Sequence, residues 1–79
     1  MDWKKHIEVN PDVVVGKPII RGTRISVELL LDRLADGWST EDILLSYPNL
    51  TRADVLAAIG FVAELFNEKQ FIAVNKLVS

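Results

Sequence analysis

Residues Ile25–Phe66, ISVELLLDRLADGWSTEDILLSYPNLTRADVLAAIGFVAELF, decide the fold, because they read as three consecutive helices with a signal at every joint. Ser26 precedes an apolar set at Val27, Leu30, Leu31 and Leu34, whose spacing gathers them on one helical face. Gly37 ends that helix, since glycine enters the left-handed conformation that a helix exit often requires. Ser39 stands three residues before Asp42, so its hydroxyl can cap the next helix while the carboxylate meets exposed N–H groups, a weaker version of the capping box. Ile43, Leu44 and Tyr47 form the inner face of the second helix, and Pro48 forbids its continuation. Thr51, with Asp54 three residues on, opens the third and longest helix. Three helices joined in this way have the outline of a helix-turn-helix.

The third helix carries two apolar stripes. Leu56, Ile59, Ala63 and Phe66 make one; Val55, Ala58, Val62 and Leu65 make the other. A helix that is apolar nearly all round is covered on most sides, and an isolated three-helix unit would leave one stripe wet. The spacing therefore predicts a second helix, from a two-fold mate or a partner, over the Val55–Val62 stripe.

The 79 residues allow one domain with a modest core of its own. The composition is 49% hydrophobic, with a mean hydropathy of +0.21, which is more oil than so short a chain can hide. Homodimerisation, a stable partner, or both are expected. With no cysteine and one histidine, zinc-type clusters are excluded and no cofactor or metal is expected. The longest apolar run, residues 55–63, is far shorter than the ~20 residues needed to cross a bilayer. Residues 1–6 do not lead into a signal-peptide core. A cytoplasmic protein without membrane partners is expected.

Residues 1–24 carry a net +2, residues 25–66 a net −5, and residues 67–79 a net +1. The first segment reads as a small β arm: Ile7 and Val9 alternate with polar neighbours, Asn10-Pro11-Asp12 turns the chain, and Ile19-Ile20 resumes extended structure. Pro18 removes a ladder donor, so its strand should lie at an edge, where a second chain can add. Gly16-Lys17 is not a phosphate loop, because no glycine precedes at the required spacing and Pro18 occupies the hydroxyl position. At the other end, residues 67–79 either prolong the third helix or run as a strand. Phe71, Ile72, Val74 and Leu77 are too apolar for a solvated tail, so the segment is expected to pack on another chain.

The ordered signatures Asn10-Pro11-Asp12, Gly16 to Val27 (GKPIIRGTRISV), Leu34 to Leu44 (LADGWSTEDIL) and Tyr47 to Ile59 (YPNLTRADVLAAI) resemble the domain-of-unknown-function family numbered four hundred and thirty-three. The resemblance covers about residues 7–63. It implies a homeodomain-like helix-turn-helix preceded by a small β arm, and an antitoxin-like role beside a PIN-like nuclease-fold toxin. It transfers no catalytic residue, and the segment beyond Glu64 lies outside it.

Two functions follow from different classes. In a DNA-binding protein of this outline the third helix enters the major groove by its N-terminal residues, here Thr51 and Arg52, with Lys17, Arg21 and Arg24 on phosphates. The alternative for these residues is structural, with Thr51 capping and Arg21 and Arg24 pairing with Glu28 or Asp32. In a pure interaction module, Val55, Val62, Phe66, Phe71, Ile72 and Leu77 would cover a partner protein. An antitoxin can combine the two. Catalysis has little support, since one histidine, no cysteine and scattered carboxylates supply no nucleophile with an adjacent base. His6 is expected as a lone exposed side chain, Trp38 as packing in the first joint, and Trp3 as an interface anchor or nothing.

Overall fold

A computed structural model describes residues 2–12 and 16–67. A 3-10 turn at Trp3–Lys5 leads into β1 (Ile7–Val9) and β2 (Pro18–Ile20), followed by α1 (Val27–Ala35), α2 (Thr40–Ser46) and α3 (Arg52–Leu65). The chain is mainly helical with a short two-stranded antiparallel sheet near its start, as the sequence predicts. The register pairs Ile7 with Ile20, Glu8 with Ile19 and Val9 with Pro18, so the proline sits at the end of the ladder.

The exit from β2 is a tight turn. Gly22 adopts φ +81°, which side-chain-bearing residues rarely tolerate. The Thr23 hydroxyl donates to the Ile20 carbonyl and accepts from the Ile25 N–H, which aims the chain into α1. There Ser26 Oγ accepts the Leu29 N–H. At the far end of α1, Gly37 at φ +95° lets its N–H reach the Leu34 carbonyl and the Trp38 N–H reach that of Arg33. This is the Schellman arrangement.

The two later helix starts are stronger than expected. Ser39 Oγ accepts the Asp42 N–H, and Asp42 in return accepts the Ser39 N–H at 2.9 Å. Thr51 and Asp54 repeat the exchange at 3.2 and 2.9 Å. Both are complete capping boxes, because aspartate at this position reaches the N-cap backbone as glutamate does.

The core draws on every element. Ile7 and Ile20 from the hairpin, Val27 and Leu30 from α1, Ile43 from α2, Leu50 from the joint, and Val55, Ala57 and Ala58 from α3 form one buried cluster. The small alanines let the other elements approach the α3 backbone closely. The hairpin is therefore part of the core, and Arg21 ties it down by donating to the carbonyls of Lys4, Lys5 and Ile7 at 3.1–3.3 Å.

Ile43 is fully buried and Leu45, two residues on, is 82% exposed. Ile43→Ala should cost about 2–4 kcal/mol in urea unfolding, whereas Leu45→Ala should stay within about 0.5 kcal/mol.

Candidate functional site

At about 100° per residue, α3 divides into a covered half and an outward one. The covered half holds Val55, Ala57 and Ala58, all at most 1% exposed. The N-terminal turn straps the same half. The Trp3 ring meets Phe61 edge-on with centroids 4.7 Å apart, and its indole N–H donates to the Glu64 carboxylate. His6 Nδ1 donates to Asp54 Oδ1 at 2.8 Å. His6 is therefore half-buried and paired, correcting the expectation of a lone exposed side chain, and Trp3 is a packing residue of this chain. Neither contact leaves a local signal, since the partners lie 48 and 61 residues apart.

The other half faces outward and carries an apolar stripe beyond its first turn. Leu56 is 53% exposed, Ile59 43% and Phe66 44%, with Ala63 exposed between them. The sequence reading reversed the two stripes. Val55, placed there on a partner-binding face, is 1% exposed and belongs to the core, and Val62 is half-buried against that core. Asp54 is drawn inward by His6 and by its own cap, which turns the Val55–Ala58 side in and the Leu56–Phe66 side out. Phe71, Ile72 and Leu77 lie outside the described residues, as does the conformation expected for residues 68–79.

The cations proposed for DNA are mostly engaged within the chain. Lys17 pairs with Glu28 at 3.1 Å, and Arg52 with Glu41 at 2.5 Å. Arg21 lies 3.6 Å from Glu8 besides its three carbonyl acceptors, and not against the Glu28 or Asp32 weighed for it. Thr51 is consumed by its capping box. Arg24 is exposed, and no described residue pairs with it. Arg33 lies over the Trp38 ring, 5.3 Å from its centroid, which fixes the half-buried indole in the first joint.

The carboxylates at the helix starts are held in their charged form. Burial raises the Asp54 pKa, but the Thr51 N–H, the His6 ring and the Thr51 hydroxyl together outweigh it and leave it below the usual aspartate value. The Ser39 N–H and hydroxyl lower Asp42, and Arg52 lowers Glu41. A shallow depression of about 380 Å³ beside the first joint is lined by Asp36, Gly37, Trp38, Asp42, Leu45 and Ser46. Among the described residues no three acidic or histidine side chains converge on a metal position, and no helix is long and apolar enough to cross a membrane.

Fold and surface together define a small three-helix protein with an integral N-terminal hairpin and an outward apolar helix face. The chain belongs to the family described as "Protein of unknown function (DUF433)", which matches residues 7–62. The crystal structure of a DUF433 member protein from Anabaena variabilis is similar at 27% identity and a TM-score of 0.71, over 94% of this chain and 69% of that one. A comparison with curated proteins finds no match.

The Asp54 carboxyl titrates lower in the folded chain than in the unfolded one. Its charged form thus adds stability above the ordinary aspartate pKa of about 3.9, and that contribution is lost as pH falls through the folded value. Asp54→Asn should unfold at lower urea than the parent at neutral pH, and the gap should close in acid.

Proposed function

We propose that the chain is an antitoxin-like interaction protein that silences a PIN-like nuclease-fold partner by covering it. The observation that carries this reading is the apolar exposure of α3 to its last turn, where Leu65 is 46% and Phe66 44% exposed. Phe71, Ile72 and Leu77 follow in the sequence and extend the same chemistry. Large apolar side chains clustered on one surface mark a protein contact. The resemblance to an antitoxin-like family supplies the kind of partner.

Operator binding in the cytoplasm is the second reading, and Arg24 favours it. That residue is exposed in the turn between β2 and α1 and spends its charge on no described residue. Docking α3 by its N-terminus is less favourable, because Arg52 is paired with Glu41 and DNA affinity comes largely from neutralised phosphates.

Co-expression with a PIN-like nuclease encoded beside the chain should give a complex that survives molar salt and lacks nuclease activity. The double variant Leu65→Ala, Phe66→Ala should weaken it by roughly tenfold or more. Failure of the two proteins to associate refutes the covering role. For the DNA reading, anisotropy with the upstream duplex should show a salt slope that Arg24→Ala reduces by about 1.

A further inference from the structure

Residues 36–39 are all that joins α1 to α2, and the positive φ of Gly37 bends them sharply. The depression of about 380 Å³ lies at this bend. From α2 it takes Asp42, Leu45 and Ser46, at helical spacing on one side, while Ile43 lies in the core. From the bend it takes Asp36, Gly37 and Trp38. Beyond its chain neighbours, no atom lies within 4 Å of where a Gly37 Cβ would stand, so that part of the wall is open.

The lining combines two unlike chemistries. Trp38 is half-buried, and Leu45, at 82%, is the most exposed large apolar side chain among the described residues. Asp36 and Asp42 are the charged members, and neither enters an ion pair with a described residue. The Ser39 N–H donates to Asp42 Oδ2 and leaves Oδ1 open. Arg33, over the Trp38 ring, is not part of the lining, so no cation neutralises the rim.

An occupant has to suit both parts. A wholly apolar side chain would strip water from the two carboxylates and return nothing. An anion is repelled. A metal ion would leave the indole and the leucine unused, and no third acidic or histidine side chain joins the two aspartates. A side chain with a long apolar stem and a cationic head meets every demand, its stem along Leu45 and its head at the carboxylates. Arginine suits this better than lysine, because its planar, weakly hydrated guanidinium lies against an indole and offers several donors to carboxylates.

We infer that the α1–α2 joint is a docking site for an arginine side chain of a partner protein, held by Asp36 and Asp42 beside Trp38 and Leu45. Charge complementarity extends past the depression. Asp32, one turn before Asp36, is exposed and enters no ion pair with a described residue, and residues 25–66 carry a net −5. The arginine therefore belongs to a basic segment. The inference goes beyond the covering role: no residue of α3 lines the depression, and the partner need not be the nuclease.

The test titrates an acetylated, amidated octapeptide of alternating alanine and arginine into the nitrogen-15-labelled full chain at low salt. The two tryptophans report separately through their indole N–H resonances. That of Trp38 should move and saturate, while that of Trp3 stays fixed. Citrulline in place of arginine keeps the shape, removes the charge and should abolish the shift. Asp36→Asn should raise Kd about three- to fivefold, and Leu45→Ala about threefold. Glu28→Gln removes the same charge from the first turn of α1 and should leave Kd nearly unchanged. All three residues are exposed, so each variant should keep the helical circular dichroism of the parent. A Trp38 resonance that does not move, a citrulline peptide that binds as well, an unchanged Kd in Leu45→Ala, or equal losses in Asp36→Asn and Glu28→Gln would overturn the inference.

Discussion

Burial of Val55, Ala57 and Ala58 against Ile7, Ile20, Leu30 and Ile43 is the contact on which the rest of the molecule depends. It joins the hairpin, both shorter helices and α3 in one cluster, and it fixes the rotation of α3. Once Val55 points inward, geometry determines the other sides: Asp54 and Phe61 turn toward the N-terminal strap, and Leu56, Ile59 and Ala63 turn to water. In a small domain, where little surface is hidden for each residue folded, one helix serves as both core and surface. The outward apolar face follows from that double duty.

Several polar side chains hold this arrangement. Two capping boxes consume Ser39, Asp42, Thr51 and Asp54, and Asp54 also receives His6. Arg21 is spent on backbone carbonyls of the first strand and turn, and Lys17 and Arg52 on glutamates. The outward side of α3 beyond its first turn is apolar. Among the described basic side chains, Lys4, Lys5 and Arg24 are exposed and enter no ion pair with a described residue.

The helices were legible because their signals are local. Serine or threonine caps, the Gly37 exit and the Pro48 stop each act within a turn of chain, and all lie where the structure has them. The hairpin strands were legible for the same reason, but their membership in the core was not. Nothing near Ile7 or Ile20 in sequence says that they meet Val55. The choice between the two α3 stripes was invisible too, since both are apolar and hydrophobicity alone cannot rank them. The long-range pairs His6–Asp54 and Trp3–Phe61 break that tie, and a pattern read residue by residue contains no trace of them. The same limit applied to Arg21, whose acceptors are backbone oxygens and not the carboxylates one turn away.

The central claim is that the outward side of α3 is a contact surface while its inner side is core. Methyl NMR of the full chain titrated with the PIN-like nuclease tests it most directly. Resonances of Leu56, Ile59 and Leu65 should shift as the nuclease is added, while those of Ile7, Ile43 and Val55 stay fixed. Outward methyls that do not move, or core methyls that move with them, would contradict the account.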